Sequence, residues 1–225
     1  PNIININTRI AVITTVFLLL AGFAFFMVSE YHHSLEGLSL RGKIAGAFFG
    51  SATARTAGFN SVDMMMLAPA SILFYYFLMW VGASPASTGG GIKTTTFALA
   101  LMNVISIAKG KDRIEIFRRE VANESVRRAF AVIFLSFLVI AVSVLILMIT
   151  DGESGLSRII FEVISAYGTV GLSLNVTMGL SISGKWVLIV TMFLGRVGTL
   201  TLLVGLFRKL RSLQYHYPTE SIMIN

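Results

Sequence analysis

The sequence predicts an all-α membrane protein built as two tandem copies of one unit: a span, a short re-entrant helix, a glycine-bearing loop and a second span. Three observations predict it: the composition, the spacing of the apolar runs, and a loop motif that occurs twice. Of 225 residues, 55% are hydrophobic and only 13% charged, and the mean hydropathy is +0.80. A soluble domain carries about 25% charged residues, and disorder needs low hydrophobicity with high net charge. Both classes are excluded. The chain has no Cys, which excludes disulfides and thiolate metal sites.

A membrane-crossing helix needs roughly 20 apolar residues. The first such run gives a span over 9–29, uncharged from Ile10 to Ser29. Residues 43–54, containing IAGAFFGSATA, are apolar but too short to cross. Runs of about 10–14 residues read as re-entrant or buried helices. A loop over 55–60 follows, and then an apolar stretch over 69–108 broken by the Gly/Ser/Thr-rich segment from Gly82 to Thr96. The second copy has a span over 125–150, a short helix over 156–167, a loop over 168–173 and a last span over 184–209. The units are therefore 1–112 and 113–213, with a tail over 214–225. The chain opens on Pro1-Asn2-Ile3-Ile4 with no signal peptide pattern, and it reads as the C-terminal part of a longer polypeptide.

The net charge is +7, and its distribution matters more than its size. Seven basic residues lie between Ala108 and Arg128, and Arg208, Lys209 and Arg211 follow the last apolar run. Cations flanking spans set topology, so the 108–128 link and the C-terminus are expected in the cytoplasm of a multi-pass cell-membrane protein. Nucleic-acid binding would need aromatics among those bases or a reading module, and neither is present. No nucleic-acid partner is expected; membrane lipid is.

Thr56-Ala57-Gly58-Phe59-Asn60 aligns with Thr169-Val170-Gly171-Leu172-Ser173. The same register brings Phe48 onto Phe161, Gly82 onto Gly195 and Ala83 onto Arg196. Irregular backbone at membrane depth is tolerated only where protein buries it or water reaches it. A re-entrant helix ending in T-x-G therefore implies a loop lining a wet cavity, where carbonyl oxygens can replace the hydration shell of a monovalent cation. The competing reading is a pair of tight buried turns with no ion.

The broken span is the second candidate site. Gly89-Gly90-Gly91 followed by Lys93-Thr94 invites a phosphate-loop reading, but Ile92 spoils the G-x-x-x-x-G-K-[ST] spacing. Lys93 is expected to face a water-filled path or to snorkel to the cytoplasm. Arg196 lies near the centre of the last span, where a charge costs at least about 2.5 kcal/mol and is functional by default. A guanidinium cannot shed its proton, so its expected partners are carbonyls and hydroxyls of the Gly82–Thr96 loop; a structural anchor is the alternative role. Glu162 is expected to be buried or facing a vestibule. His32 and His33, beside Glu30, read as surface residues, and Tyr75, Tyr76 and Trp80 as lipid-facing or interfacial packing.

With these residues in view, the chain resembles the potassium transporters of the Ktr/Trk/HKT superfamily, most of all the Ktr membrane subunit. The matching segments are Arg55 to Asn60, SPASTGGGIKTTT (Ser84 to Thr96), FEVISAYGTVGLS (Phe161 to Ser173), GRVGTLT (Gly195 to Thr201) and the terminal YPTESIMIN (Tyr217 to Asn225). The resemblance implies a pseudo-fourfold cation pore of which this chain holds the third and fourth repeats, the N-terminal half supplying the other two. It implies a potassium filter at Thr56, Ala57, Gly58, Phe59, Thr169, Val170, Gly171 and Leu172. It also implies a gate of Gly89, Gly90, Gly91, Lys93 and Arg196, with potassium as the transported ion and no cofactor. A cytoplasmic nucleotide-binding RCK-type regulatory subunit and a homodimer are the implied partners. A less selective sodium/potassium transporter of the same fold and a non-transporting membrane scaffold are the alternatives. An intramembrane enzyme is disfavoured: there is no Cys, and the spans hold neither His nor Asp.

Overall fold

The computed structural model describes residues 5–206, except 112, 117 and 118. Helix α1 spans Ile6–Glu30 and α2 Leu40–Thr53. A 3-10 turn over Met64–Met66 leads into α3, Pro69–Trp80, and after a break α4 runs over Thr94–Ala108. A small antiparallel hairpin, β1 (Glu115–Ile116) with β2 (Arg119–Glu120), occupies the link. Helix α5 spans Asn123–Asp151, α6 Leu156–Gly168, α7 Ile182–Val197 and α8 Thr199–Leu206.

Among the described residues, two stretches are long and apolar enough to cross a membrane: Ile6–Glu30, and Asn123–Ser154, which is α5 extended by a 3-10 turn. At 1.5 Å per residue α1 is about 37 Å long, more than the roughly 30 Å hydrocarbon core. Large apolar side chains such as Phe17, Leu20, Phe134 and Phe193 point outward, an inside-out pattern suited to lipid. Helices α2 and α7 begin with local caps. Ser39 accepts from the Gly42 amide at 3.3 Å, and Ser181 accepts from the Gly184 amide at 3.0 Å. Such hydroxyls satisfy amides that a helix start leaves unpaired. The Asp151 carboxylate accepts from the Ser181 amide at 2.6 Å and from its hydroxyl at 2.9 Å, which ties the end of α5 to the start of α7.

The larger core cluster joins the two halves of the chain, and a second one lies within the C-terminal half. Tyr75 of α3 meets Phe161 of α6 with ring centroids 6.4 Å apart, and Leu18, Met79, Val170 and Leu172 join the same cluster. Nearly all of α6 from Phe161 to Gly168 is buried. One expectation is corrected here. Tyr75 is 1% exposed, and its hydroxyl donates to the Gly50 carbonyl at 3.0 Å; this bond lets the phenol sit in the core rather than against lipid. Tyr76 and Trp80 are half-buried and reach α6 and α5 through Ser157 and Ser136. Glu30 is fully buried while His32 and His33 are exposed. Its carboxylate accepts from the Ala68 amide at 2.9 Å and the Ser34 amide at 3.2 Å, so a negative charge sits where the α3 N-terminus favours one.

The last span differs from a single helix over 184–209. It breaks at Gly198, where α7 ends and α8 begins. Residues 207–209, the basic cluster at 208–211 and the tail over 214–225 lie outside the described residues.

Candidate ion-conducting site

The C-terminal ends of α2 and α6 deliver the two T-x-G loops to one place. Thr56 and Thr169 both adopt positive φ, 65° and 51°, and Gly58 and Gly171 do so again at 77° and 93°. Left-handed residues alternating with ordinary ones turn successive carbonyls toward the same side, unlike the alternating carbonyls of an extended strand. A β-branched Thr rarely accepts this conformation, so its presence at both equivalent positions marks a constrained loop. The loops abut: a Cβ on Gly58 would overlap the Val170 carbonyl oxygen, and one on Gly171 would sit 3.7 Å from the Gly58 Cα.

Each loop is braced from behind by its own short helix. Thr53 donates its hydroxyl to the Phe59 carbonyl, and Ser165 donates to the Leu172 carbonyl at 2.6 Å. One lone pair on each of those two carbonyls is therefore spent on the brace. Val170 and Leu172 bury their side chains in the core, whereas Phe59 is 71% exposed. Outside the second loop, Glu162 accepts from the Ser173 hydroxyl and, at 2.9 Å, from Thr177. Glu162 is 5% exposed and lines an open recess with Thr169, Gly171 and Ser173, so it is buried among its partners and still borders that space.

The break between α3 and α4 folds into a compact loop directly against the two T-x-G turns. Its base is closed by backbone bonds from Gly82 to the Ile92 carbonyl at 2.8 Å and from Ile92 to the Trp80 carbonyl at 3.1 Å. Its apex touches both threonines. A Cβ on Gly89 would meet Thr56 Oγ1 at 2.7 Å, and one on Gly90 would meet the Thr169 methyl at 2.7 Å. The Gly90 amide donates to Thr169 Oγ1 at 2.7 Å. Only glycines fit under the two turns at this separation. On the facing side, a Cβ on Gly195 would overlap the Tyr167 carbonyl oxygen.

The cations divide differently from expectation. Lys93 is half-buried and its ammonium folds back on its own loop, donating to the Gly89 carbonyl. Arg196 is exposed and, among the described residues, makes no side-chain hydrogen bond to the loop. Lys93 already holds the Gly89 carbonyl and Arg55 the Gly82 carbonyl, so the loop oxygens that cations reach are taken by these two.

The loop's actual guanidinium partner is Arg55, whose role the sequence reading missed. It donates to the Gly82 carbonyl at 3.3 Å and to the Thr15 carbonyl at 3.1 Å, tying the loop base to α1. Its position immediately before Thr56 is the signal that could have found it. Hydrogen bonds to charged groups contribute about 1.5–3 kcal/mol, so Arg55→Ala is expected to lower the melting temperature of the purified protein in detergent. An unchanged melting temperature would show that the two carbonyl bonds hold nothing.

Comparison with known proteins shows the family. Residues 4–215 match the model of a family described as TrkH, cation transport protein. The chain belongs to the TrkH family. It is 37% identical over 227 residues to the potassium/sodium uptake protein NtpJ of Enterococcus hirae, covering 98% of this chain and 50% of that protein. It is 38% identical over 222 residues to the Ktr system potassium uptake protein B of Vibrio alginolyticus, covering 98% and 48% respectively. The TrkH-family chain thus spans about half the length of these relatives. Among solved structures, the potassium transporter TrkH from Vibrio parahaemolyticus superposes with a TM-score of 0.71 at 21% identity, over 86% of this chain and 43% of that one. That likeness concerns the helical fold. These relatives are named as transport proteins, and none of the three as an enzyme.

Proposed function

We propose that the chain forms half of a potassium-uptake pore, with Thr56 to Phe59 and Thr169 to Leu172 as two of four filter segments. The observation that carries this reading is the abutment of the two T-x-G loops, each left-handed at Thr and again at Gly. Carbonyls aligned in this way can stand in for the hydration shell of an alkali cation. Two such segments cannot encircle an ion, so the N-terminal half of the same transporter supplies the other two. The units 1–112 and 113–213 are then the third and fourth repeats around a pseudo-fourfold axis.

The Gly89–Gly91 loop, carrying Lys93 and facing Arg196, acts as the gate on the inner side of the filter. Its contact with Thr56 and Thr169 supports that role, since a plug must sit where the ion leaves. The basic 108–128 link and the C-terminus face the cytoplasm, as positive flanks dictate. A nucleotide-binding RCK-type regulatory subunit docks on that side, and the transporter works as a homodimer in the cell membrane. The names of the Ktr-system relatives support a multi-component assembly. The name of the Enterococcus relative favours a second reading, combined sodium and potassium uptake.

The test is ion uptake by the complete transporter in cells lacking their own potassium uptake. Growth at low potassium with rubidium accumulation is the expected result, and sodium competition separates the two readings. Absence of any cation flux from correctly inserted protein overturns both.

A further inference from the structure

At the end of the molecule where α1 begins and α4 ends, two recesses of opposite character meet. One is a slot of about 350 Å³ between α1 and α4, walled by Ile13, Phe17, Phe97 and Leu101 and almost wholly apolar. The other is a recess of about 160 Å³ under the β1–β2 hairpin, where Lys109, Lys111 and Arg113 line the walls with the single described carboxylate of Glu115. Met102 and Ile116 line both, so the apolar slot and the basic recess lie side by side at these two residues. Ser106 fixes the recess floor, donating to the Arg113 carbonyl at 2.9 Å. Arg113 is partly engaged with Glu120 at 3.3 Å. Lys109 and Lys111 are exposed and, among the described residues, pair with no carboxylate.

We propose that this composite recess is a binding site for one anionic phospholipid, its phosphate at Lys109 and Lys111 and an acyl chain in the slot between α1 and α4. Charge complementarity selects the occupant. A neutral apolar ligand would leave the lysines unused, and a free phosphate would leave the slot empty; an anionic lipid matches both ends at the depth where a headgroup meets the hydrocarbon. Basic pockets between membrane helices hold acidic headgroups in this manner. The inference rests only on membrane embedding and not on ion conduction, so it survives or fails independently of the pore reading.

The experiment is lipid retention by the complete transporter, purified in mild detergent, exchanged into phosphatidylglycerol or phosphatidylcholine, and read by native mass spectrometry. Wild type is expected to retain one phosphatidylglycerol at least about tenfold more than phosphatidylcholine, equivalent to about 1.4 kcal/mol. The K109Q/K111Q pair is expected to lose that preference while still binding lipid weakly. Leu101→Trp, which fills the slot, is expected to lower retention of both lipids. Equal retention of the two lipids by wild type overturns the proposal. So does unchanged retention in all variants, which would mean that protein covers the slot. If K109Q/K111Q loses only a regulatory subunit and keeps its lipid, the lysines serve a protein contact and the proposal falls.

Discussion

Gly58→Ala in the complete transporter is expected to reduce potassium uptake by more than about tenfold without loss of membrane insertion. Two costs combine at this position. Its φ of 77° is a left-handed conformation that costs an ordinary residue roughly 1–2 kcal/mol. The added Cβ also runs into the Val170 carbonyl oxygen, one of the oxygens proposed to face the ion. The backbone of one loop must then move to relieve the other, and both filter segments distort together. Gly171→Ser separates the two costs. The nearest atom to a Cβ there is the Gly58 Cα at 3.7 Å, an ordinary contact, so only the strain at φ 93° remains. At about 1.4 kcal/mol per decade, that strain is expected to weaken potassium over sodium discrimination by up to about tenfold while flux persists. Unchanged ion preference in Gly171→Ser, together with normal uptake in Gly58→Ala, would remove the filter assignment.

Deleting Gly89 to Gly91 is expected to raise cation flux in proteoliposomes lacking any regulatory protein. The loop apex lies against Thr56 and Thr169, and one of its holds there is the amide of Gly90 on Thr169 Oγ1. A single such bond contributes about 1 kcal/mol, enough to shift a blocked-to-open ratio by roughly fivefold. Gly90→Ala is a milder version, because its Cβ would press on the Thr169 side chain at 2.7 Å and push the loop off its seat. A smaller increase in flux is expected from it. Lost flux in both variants, with normal insertion, would make the loop a structural support rather than a gate.

Much of this arrangement was legible in the residues because membrane constraints are severe. A run such as Ala129 to Thr150 has few alternatives to a crossing helix, and α5 occupies Asn123–Asp151. The short helices were legible from length, and α2 and α6 begin and end within three residues of expectation. The two T-x-G loops were found as a sequence repeat, and their left-handed threonines were not, since nothing in Thr itself signals that conformation. Side-chain partners were the least legible. Arg196 looked like the residue that needed the loop, yet Arg55 and Lys93 hold its carbonyls. Which of three cations reaches a given oxygen depends on helix rotation and depth, and a one-dimensional pattern carries neither. The burial of Glu30 was hidden for the same reason: its amide partners Ser34 and Ala68 lie at unrelated distances along the chain.

Because the Lys93 ammonium is bonded to the Gly89 carbonyl, a positive charge travels with the loop whenever the loop leaves its seat. Moving one elementary charge through the whole membrane field changes the energy by about 2.3 kcal/mol per 100 mV, and a partial displacement changes it in proportion. If the loop gates the pore as proposed, the balance between covered and uncovered states acquires a voltage dependence, shallow beside that of a dedicated sensor, and the removal of charge in Lys93→Gln is expected to flatten it.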